Sequence, residues 1–122
     1  MAALKYDEVL AHKIYAGSDF FLMPSRFEPC GLGQIISLRY GTIPVVRATG
    51  GLADTVTDAT ANPNKGNGFV FAKYQPEALL EATQRAVEFY RQERGWKALQ
   101  QRGMAAGSSW KASGKAYCRF VC

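Results

Sequence analysis

Glu28 and the glycines that follow it at positions 31 and 33 are the residues of this 122-residue sequence best suited to bind a ligand. Gly31 is predicted to begin a helix, and a helix N-terminus leaves backbone N–H groups without partners beside a partial positive charge. Because Gly31 and Gly33 lack Cβ atoms, a phosphate can approach the amides from Cys30 to Gly33 closely. Glu28 repels phosphate, and its natural partner is a hydroxyl donor such as a sugar. This combination indicates a sugar-phosphate site, with a merely structural turn as the alternative.

The elements around this loop form a predicted βαβ unit. An apolar run at 20–23 ends at a proline, the helix that follows stops at Gly41, and a second apolar run occupies 43–46. This order of elements, a short buried strand, a helix, a glycine and a second short buried strand, is typical of a parallel sheet. In such sheets, ligands bind beyond the carboxyl ends of the strands. We therefore expect the polar loops at 25–31 and 47–51 to face one crevice.

The other elements are predicted from apolar spacing and from residues typical of caps and turns. Before the strand at 20–23, a helix at 6–16 should be capped by Asp7, with Val9, Leu10, Ile14 and Tyr15 on its apolar face. After the second loop we expect a helical turn at 51–56, a mobile loop at 58–67 and a strand at 68–71.

Three helices should complete the chain. Pro76 suits the first position of a helix, whose apolar face is predicted to consist of Leu79, Leu80, Thr83, Val87 and Tyr90. The next helix should carry Trp96, Leu99 and Met104 and end at Gly103 or Gly107. A terminal helix is predicted at 109–122 and should include Trp110, Tyr117, Phe120 and Val121.

Composition excludes several classes of function. The net charge of +5 includes seven basic residues between 91 and 119, which predict solvated helix faces. The aromatic residues there have helical spacing, which suits packing and not base stacking. No apolar run approaches the roughly 18 residues that a membrane crossing needs. Three widely spaced cysteines favour a reducing compartment over a disulfide framework. His12, the single histidine, lies off its helix's apolar face and is not a catalytic candidate.

Three segments together resemble a known family. PSRFEPCGL at 24–32, RYGTIPVV at 39–46 and TGGLADTV at 49–56 are similar to the signature of bacterial glycogen synthases and plant starch synthases. The resemblance extends along nearly the whole chain. It implies the two-domain GT-B architecture, of which only the later half of the second domain is represented. We therefore expect an α/β fold, a partial Rossmann-like parallel sheet with C-terminal helices.

This resemblance also implies a domain organisation and an activity. Residues 1–122 should be a fragment of one C-terminal, donor-binding domain, incomplete and inactive without the missing N-terminal GT-B domain. The complete enzyme should transfer glucose from ADP-glucose to the non-reducing end of an α-1,4-glucan with retention. We expect no cofactor, no metal, no nucleic acid and no membrane among its partners, and a location in the bacterial cytoplasm or the plastid stroma.

The site residues implied by the resemblance lie on the two polar loops. Glu28 would bind donor glucose hydroxyls and stabilise charge on the reacting sugar. The amides of Cys30, Gly31 and Leu32 would contact glucose, and those of Leu32 and Gly33 the distal phosphate. The remaining residues of this set would line the cleft or lie near the phosphates: Thr49, Gly50, Gly51 and Arg26. The alternative for Arg26 is a surface salt bridge with no role in binding.

Two other functional classes remain open. A different retaining GT-B sugar-nucleotide transferase is one, although such enzymes usually carry a second Glu where this chain has Ile36, and lack the PCGL run. A non-catalytic fragment that binds glucan or a partner chain is the other. A glucan-binding module normally exposes aromatic residues on a strand platform, and the sequence predicts none.

Overall fold

The computed structural model describes residues 2, 4–106 and 110–121 and confirms the predicted α/β class. Within these residues a parallel sheet has the order β1-β2-β3, with Phe20 opposite Ile43 and Val45 opposite Phe69. The strands are β1 (Phe20–Met23), β2 (Ile43–Arg47) and β3 (Phe69–Phe71). The helices are α1 (Glu8–Gly17), α2 (Gly33–Arg39), α3 (Gly50–Thr55), α4 (Pro76–Tyr90), α5 (Glu93–Ala105) and α6 (Trp110–Val121).

Strand β2 lies at the centre of the sheet and of the core. Its residues from 43 to 46 are fully buried, because β1 and β3 flank the strand and helices pack against its faces. Successive side chains of a strand point to opposite faces, so Val45 and Val46 belong to two different apolar clusters. The larger cluster includes Phe69, Trp96 and Leu99. The carboxyl end of β2 is thereby held rigidly, and the second polar loop begins there.

Helix α1 has the predicted Asp7 cap, but it begins at Glu8 instead of residue 6 and its apolar face is not buried. Asp7 caps the helix by accepting a hydrogen bond from the backbone N–H of Leu10 at 3.0 Å. Val9 and Ile14, which the spacing predicts to face a core, are 67% and 53% exposed. Tyr15 is half-buried and packs against Phe21 of β1.

Helix α4 buries its predicted face only in part: Leu79 packs against the core as predicted, but the other large apolar residues are exposed. Leu80, Val87 and Tyr90 are largely exposed, whereas Ala82 and Ala86 are fully buried. Alanine has no bulky side chain, so the helix backbone can approach the sheet closely at these positions. The prediction weighted large apolar residues and missed this alanine stripe.

Helix α5 continues through one of its predicted end points. Gly103 is buried inside the helix, and a Cβ there would lie 2.8 Å from a methyl carbon of Leu38. This glycine therefore serves the packing of α5 on α2, and Gly107 lies outside the described residues. Met104, predicted to pack, is 40% exposed. Positions 109 and 122 are also outside the described residues, so the terminal bounds 109–122 stay a prediction.

The segment between α3 and β3 is fastened to α4 through Asp58. One carboxylate oxygen accepts hydrogen bonds from the N–H of Val70 at 2.7 Å and from Arg85 at 2.9 Å. The other oxygen accepts from the N–H groups of Thr60 and Ala61. Burial acts to raise the pKa of Asp58, but the Arg85 and backbone hydrogen bonds outweigh it and leave the pKa below its usual value. The base of the loop at 58–67 is therefore well ordered by hydrogen bonds, even though its composition is typical of a mobile loop.

We expect Asp58→Asn to lower the free energy of unfolding by about 1–3 kcal/mol, because an amide cannot accept from all four donors. Glu81 also pairs with Arg85 but is mostly exposed, so Glu81→Gln is a matched control expected to cost about 0–1 kcal/mol. A folded-state pKa below the unfolded one makes this stabilisation present at neutral pH. It is lost as the pH falls from about 4 through the folded pKa. Thermal melts against pH should show this acid loss in wild type and not in Asp58→Asn.

Candidate functional site

The two polar loops predicted to share a crevice touch one another directly. The first loop (residues 25–31) leaves β1 and the second loop (residues 47–51) leaves β2 at the same edge of the sheet. The backbone N–H of Gly51 lies 3.2 Å from the carbonyl oxygen of Glu28 and 3.0 Å from that of Pro29. The segment that carries Glu28 is therefore fixed to the N-terminal turn of α3.

The contact between the loops requires glycine at two successive positions. A Cβ at Gly50 would lie 2.1 Å from the Glu28 carbonyl oxygen, and a Cβ at Gly51 would lie 2.0 Å from that of Cys30. Gly50 also has φ of +46°, a region that side-chain-bearing residues rarely adopt. Both obstacles are backbone atoms, so a side chain at either position would force the loops apart.

Glu28 is half-buried in the first loop, and its carboxylate is only lightly engaged by the protein. The hydroxyl of Ser25 lies 3.5 Å from Glu28 Oε2. Arg26 is exposed, and the structure, which describes both residues, shows no ion pair between Arg26 and Glu28. The salt bridge between them is therefore not formed here, and the carboxylate can accept hydrogen bonds from a ligand.

Arg47, which the sequence did not single out, holds the first loop from the second. Its guanidinium donates to the carbonyl oxygens of Arg26 at 2.7 Å and Ser25 at 3.5 Å. The same group lies 5.6 Å from the centre of the Tyr74 ring. The signal for this role was an arginine at the end of a buried strand, where a charged side chain needs partners.

Helix α2 begins at Gly33, two residues later than predicted. Gly31 has φ of +71°, which is left-handed and incompatible with an α-helix. Gly33 packs against β1, since a Cβ there would lie 2.8 Å from the Phe21 ring. Packing thus explains both glycines without a ligand. Cys30 and Leu32 are exposed beside them, on the open side of the loop.

Gln34 is a further polar residue that the sequence did not single out. Its side chain is completely buried in the first turn of α2. Its amide nitrogen lies within hydrogen-bonding distance of the carbonyl oxygens of Cys30 at 3.1 Å and Gly31 at 3.0 Å, and of the Thr55 hydroxyl at 3.1 Å, so its two hydrogens are shared among three acceptors. The Thr55 hydroxyl in turn donates to the carbonyl oxygen of Gly51 at 2.6 Å. One buried amide therefore connects the first loop to α3.

Thr49 is half-buried and precedes the first turn of α3 in extended conformation. Its side chain makes no capping hydrogen bond. The structure thus brings the predicted residues of the two loops together at one edge of the sheet, while the ligand roles assigned to them stay predictions.

His12 and Ile36 lie in a different place from the loops. Both line a cavity of about 430 Å³ bounded by residues of α1, α2 and α5. His12 Nδ1 lies 2.8 Å from the Tyr40 hydroxyl. Ile36 contributes to the apolar part of this cavity wall.

Comparison with known proteins identifies the family. Residues 4–98 match the family described as "Glycosyl transferases group 1". The glycogen synthase of Moorella thermoacetica is 63% identical over 113 residues, which are 92% of this chain and 23% of that protein. Glycogen synthase 2 of Geobacter metallireducens is 56% identical over 93% of this chain and 24% of its own length. The chain thus spans about a quarter of the relatives that it matches.

Solved structures agree with this match. The catalytic domain of starch synthase IV from Arabidopsis thaliana, bound to ADP and acarbose, superposes with a TM-score of 0.85 at 41% identity, covering 95% of this chain and 24% of that chain. A sucrose-phosphate synthase from Thermosynechococcus elongatus gives a TM-score of 0.69 at 26% identity over 96% of this chain and 29% of that chain. This chain therefore shares its parallel sheet, with glycine-packed loops at the carboxyl edge, with these two solved synthases. The chain belongs to the glycosyl transferases group 1 family, and the predicted fold class and family are confirmed.

The described residues contain neither a membrane-crossing helix nor a cluster of metal ligands. None of the helices within 4–106 and 110–121 has the length and apolar character that crossing a membrane requires. Across the same ranges, His, Cys, Asp and Glu side chains do not gather in groups of three or more that could hold a metal ion.

Proposed function

We propose that this chain is the donor-binding part of a glycosyltransferase of the starch/glycogen synthase type. The enzyme would transfer glucose from ADP-glucose to the non-reducing end of an α-1,4-glucan with retention. The observation that carries the proposal is the direct packing of the two signature loops, which places Glu28 beside Gly50 and Gly51. High identity to proteins named glycogen synthase supports the choice of reaction.

In this proposal the two loops hold the donor from two sides. The half-buried carboxylate of Glu28 accepts hydrogen bonds from glucose hydroxyls and opposes positive charge that develops at the reacting sugar carbon. The exposed amides of Cys30, Gly31 and Leu32 donate to glucose oxygens. The amides of Leu32 and Gly33 face the distal phosphate.

The other predicted residues complete the wall of the cleft. Thr49, Gly50 and Gly51 line it from the second loop, and Arg26 reaches toward the phosphates. No protein nucleophile is invoked, since the donor phosphate assists on the face that the acceptor attacks. That route gives retention without a covalent intermediate.

Residues outside this chain are needed for the reaction in this proposal. Because the chain spans 23% of the Moorella glycogen synthase, we place the acceptor contacts and further phosphate contacts on the rest of such an enzyme, including an N-terminal GT-B domain. Residues 1–122 then form part of one C-terminal domain, ending in a helix at 109–122. The bacterial relatives favour the bacterial cytoplasm over the plastid stroma as the location.

The proposal is tested with a chimeric enzyme that supplies the remaining parts. In this chimera, the chain replaces the matching 113 residues of the Moorella thermoacetica glycogen synthase. We expect the chimera to elongate a maltooligosaccharide with labelled glucose from ADP-glucose. A folded chimera that transfers no glucose would refute the assignment.

A second sugar-nucleotide transferase activity is favoured by one observation, the superposition with sucrose-phosphate synthase. Ile36 in the cavity wall argues against it, because the second Glu of such enzymes is missing there. Competition between ADP-glucose and UDP-glucose in the chimera separates the two. Preference for ADP-glucose supports the glucan synthase.

A further inference from the structure

The position of Gln34 determines which way two peptide groups of the first loop face. A peptide unit is planar and trans, so its C=O and N–H point in opposite directions. The carbonyl oxygens of Cys30 and Gly31 both point at the buried Gln34 amide nitrogen. The N–H groups of the same two peptide units, which belong to Gly31 and Leu32, must therefore point away from the protein interior.

These two N–H groups are open on their outer side. Among the residues that the structure describes, none accepts a hydrogen bond from the N–H of Gly31 or Leu32. Leu32 is 71% exposed, so the peptide group that precedes it lies at the surface of the loop. Two donors without a partner thus follow Glu28 along the chain, at the end of the loop that packs against α3.

The orientation of the Gln34 amide follows from its neighbours. Carbonyl oxygens only accept hydrogen bonds, so the NH₂ end of the side chain must face Cys30 and Gly31. The opposite end, Oε1, is buried against Gly31 and receives no hydrogen bond from any residue described. A Cβ at Gly31 would lie 2.5 Å from this oxygen. The first turn of α2 therefore requires an amide side chain at position 34 and glycine at position 31.

Gln34 also links this arrangement to the second loop. The same amide nitrogen lies 3.1 Å from the Thr55 hydroxyl, and that hydroxyl donates a hydrogen bond to the carbonyl oxygen of Gly51. Gly51 is the residue whose N–H binds the Glu28 and Pro29 carbonyls. A closed circuit therefore runs from the first loop through Gln34, Thr55 and Gly51 and back to the first loop.

We propose that Gln34 is a positioning residue for the donor: it holds two carbonyls inward so that the Gly31 and Leu32 N–H groups face the bound sugar phosphate. Thr55 extends the same control to the second loop. This inference rests on the proposed function, since it assigns a cause to the orientation of amides proposed to bind ADP-glucose. Neither side chain touches the donor, and both act through the loop.

The test uses Gln34→Glu in the chimera and follows pH. An ionised carboxylate cannot donate to the two carbonyls, so kcat/KM for ADP-glucose should fall about 10- to 100-fold near neutral pH. A carboxyl buried against two carbonyl oxygens has a raised pKa and recovers a donor when protonated. The loss should therefore shrink at least severalfold as the pH falls toward about 6.

The reference for this experiment is the wild-type chimera at each pH. The ionisable residues Glu28, Cys30 and Asp54 lie on the loop and helix around Gln34 and are the same in both proteins. The ratio of variant to wild type therefore isolates the substituted carboxyl. A loss independent of pH, or no loss at all, would overturn the positioning role.

A second pair of variants keeps the inference testable if Gln34→Glu does not fold. Thr55→Val preserves the shape and removes the hydroxyl, whereas Thr55→Ser keeps the hydroxyl. We expect KM for ADP-glucose to rise about 10-fold in the first and to change less than about 2-fold in the second. Equal KM values in the two variants would contradict the circuit. Inactivity of the wild-type chimera would instead count against the proposed function.

Discussion

The Glu28→Gln variant of the chimera should lose about 100- to 1000-fold in the rate of glucose transfer from ADP-glucose. Glutamine keeps the shape of the side chain but removes the negative charge that opposes a developing positive sugar centre. The structure strengthens this expectation, because the carboxylate has only a long contact with Ser25 and no ion pair with Arg26. Its removal should therefore leave the melting temperature within a few degrees.

Glu88→Gln is the matched control for this experiment. Glu88 is exposed on α4, and its substitution should leave both turnover and melting temperature unchanged. If Glu28 served only the local structure of its loop, the result would be reversed, with near-normal turnover and a modest loss of stability. Wild-type turnover in Glu28→Gln would end its catalytic assignment.

Gly51→Ala should have the second-largest effect, on folding and on donor binding together. The new methyl group would be placed 2.0 Å from the carbonyl oxygen of Cys30, and neither backbone can yield without separating the loops. Forcing a group into filled space costs about 1–3 kcal/mol. Loss of the Gly51 hydrogen bonds to the first loop adds about 1 kcal/mol each. Displacement of Glu28 should then reduce kcat/KM for ADP-glucose about 100-fold.

Gly17→Ala provides the control for adding a methyl group at a glycine. A Cβ at Gly17 meets nothing within 4 Å among the described residues, so its stability and activity should match wild type. Differential scanning calorimetry and steady-state kinetics on the same preparations measure both effects. A Gly51→Ala chimera as stable and active as Gly17→Ala would contradict the described packing of the loops.

The strands and the contact between the two loops were predictable because their signals are local. Four consecutive apolar residues at 43–46 are typical of a strand buried in a parallel sheet, and the structure buries all four. The loops that follow β1 and β2 leave the same edge because the strands are parallel. Their juxtaposition needed no knowledge of side-chain contacts.

Other features depend on contacts that no local pattern reveals. The start of α2 was misplaced because a glycine can either begin a helix or adopt the left-handed turn that Gly31 takes. The buried face of α4 was only partly predicted, because Ala82 and Ala86 permit close approach to the sheet, which their small size does not signal in sequence. Gln34 escaped notice because its importance comes from the direction in which two carbonyls point.

Protection of Cys30 by ADP-glucose tests the central claim, that the first loop binds the donor sugar, most directly. Cys30 and Cys118 are both exposed thiols, and Cys118 lies on α6, away from the loops in sequence. Iodoacetamide labelling of the chimera, read out peptide by peptide, follows both in one sample. We predict that saturating ADP-glucose slows alkylation of Cys30 severalfold or more and leaves Cys118 unchanged. Unchanged labelling of Cys30 in a chimera that binds ADP-glucose would contradict the account.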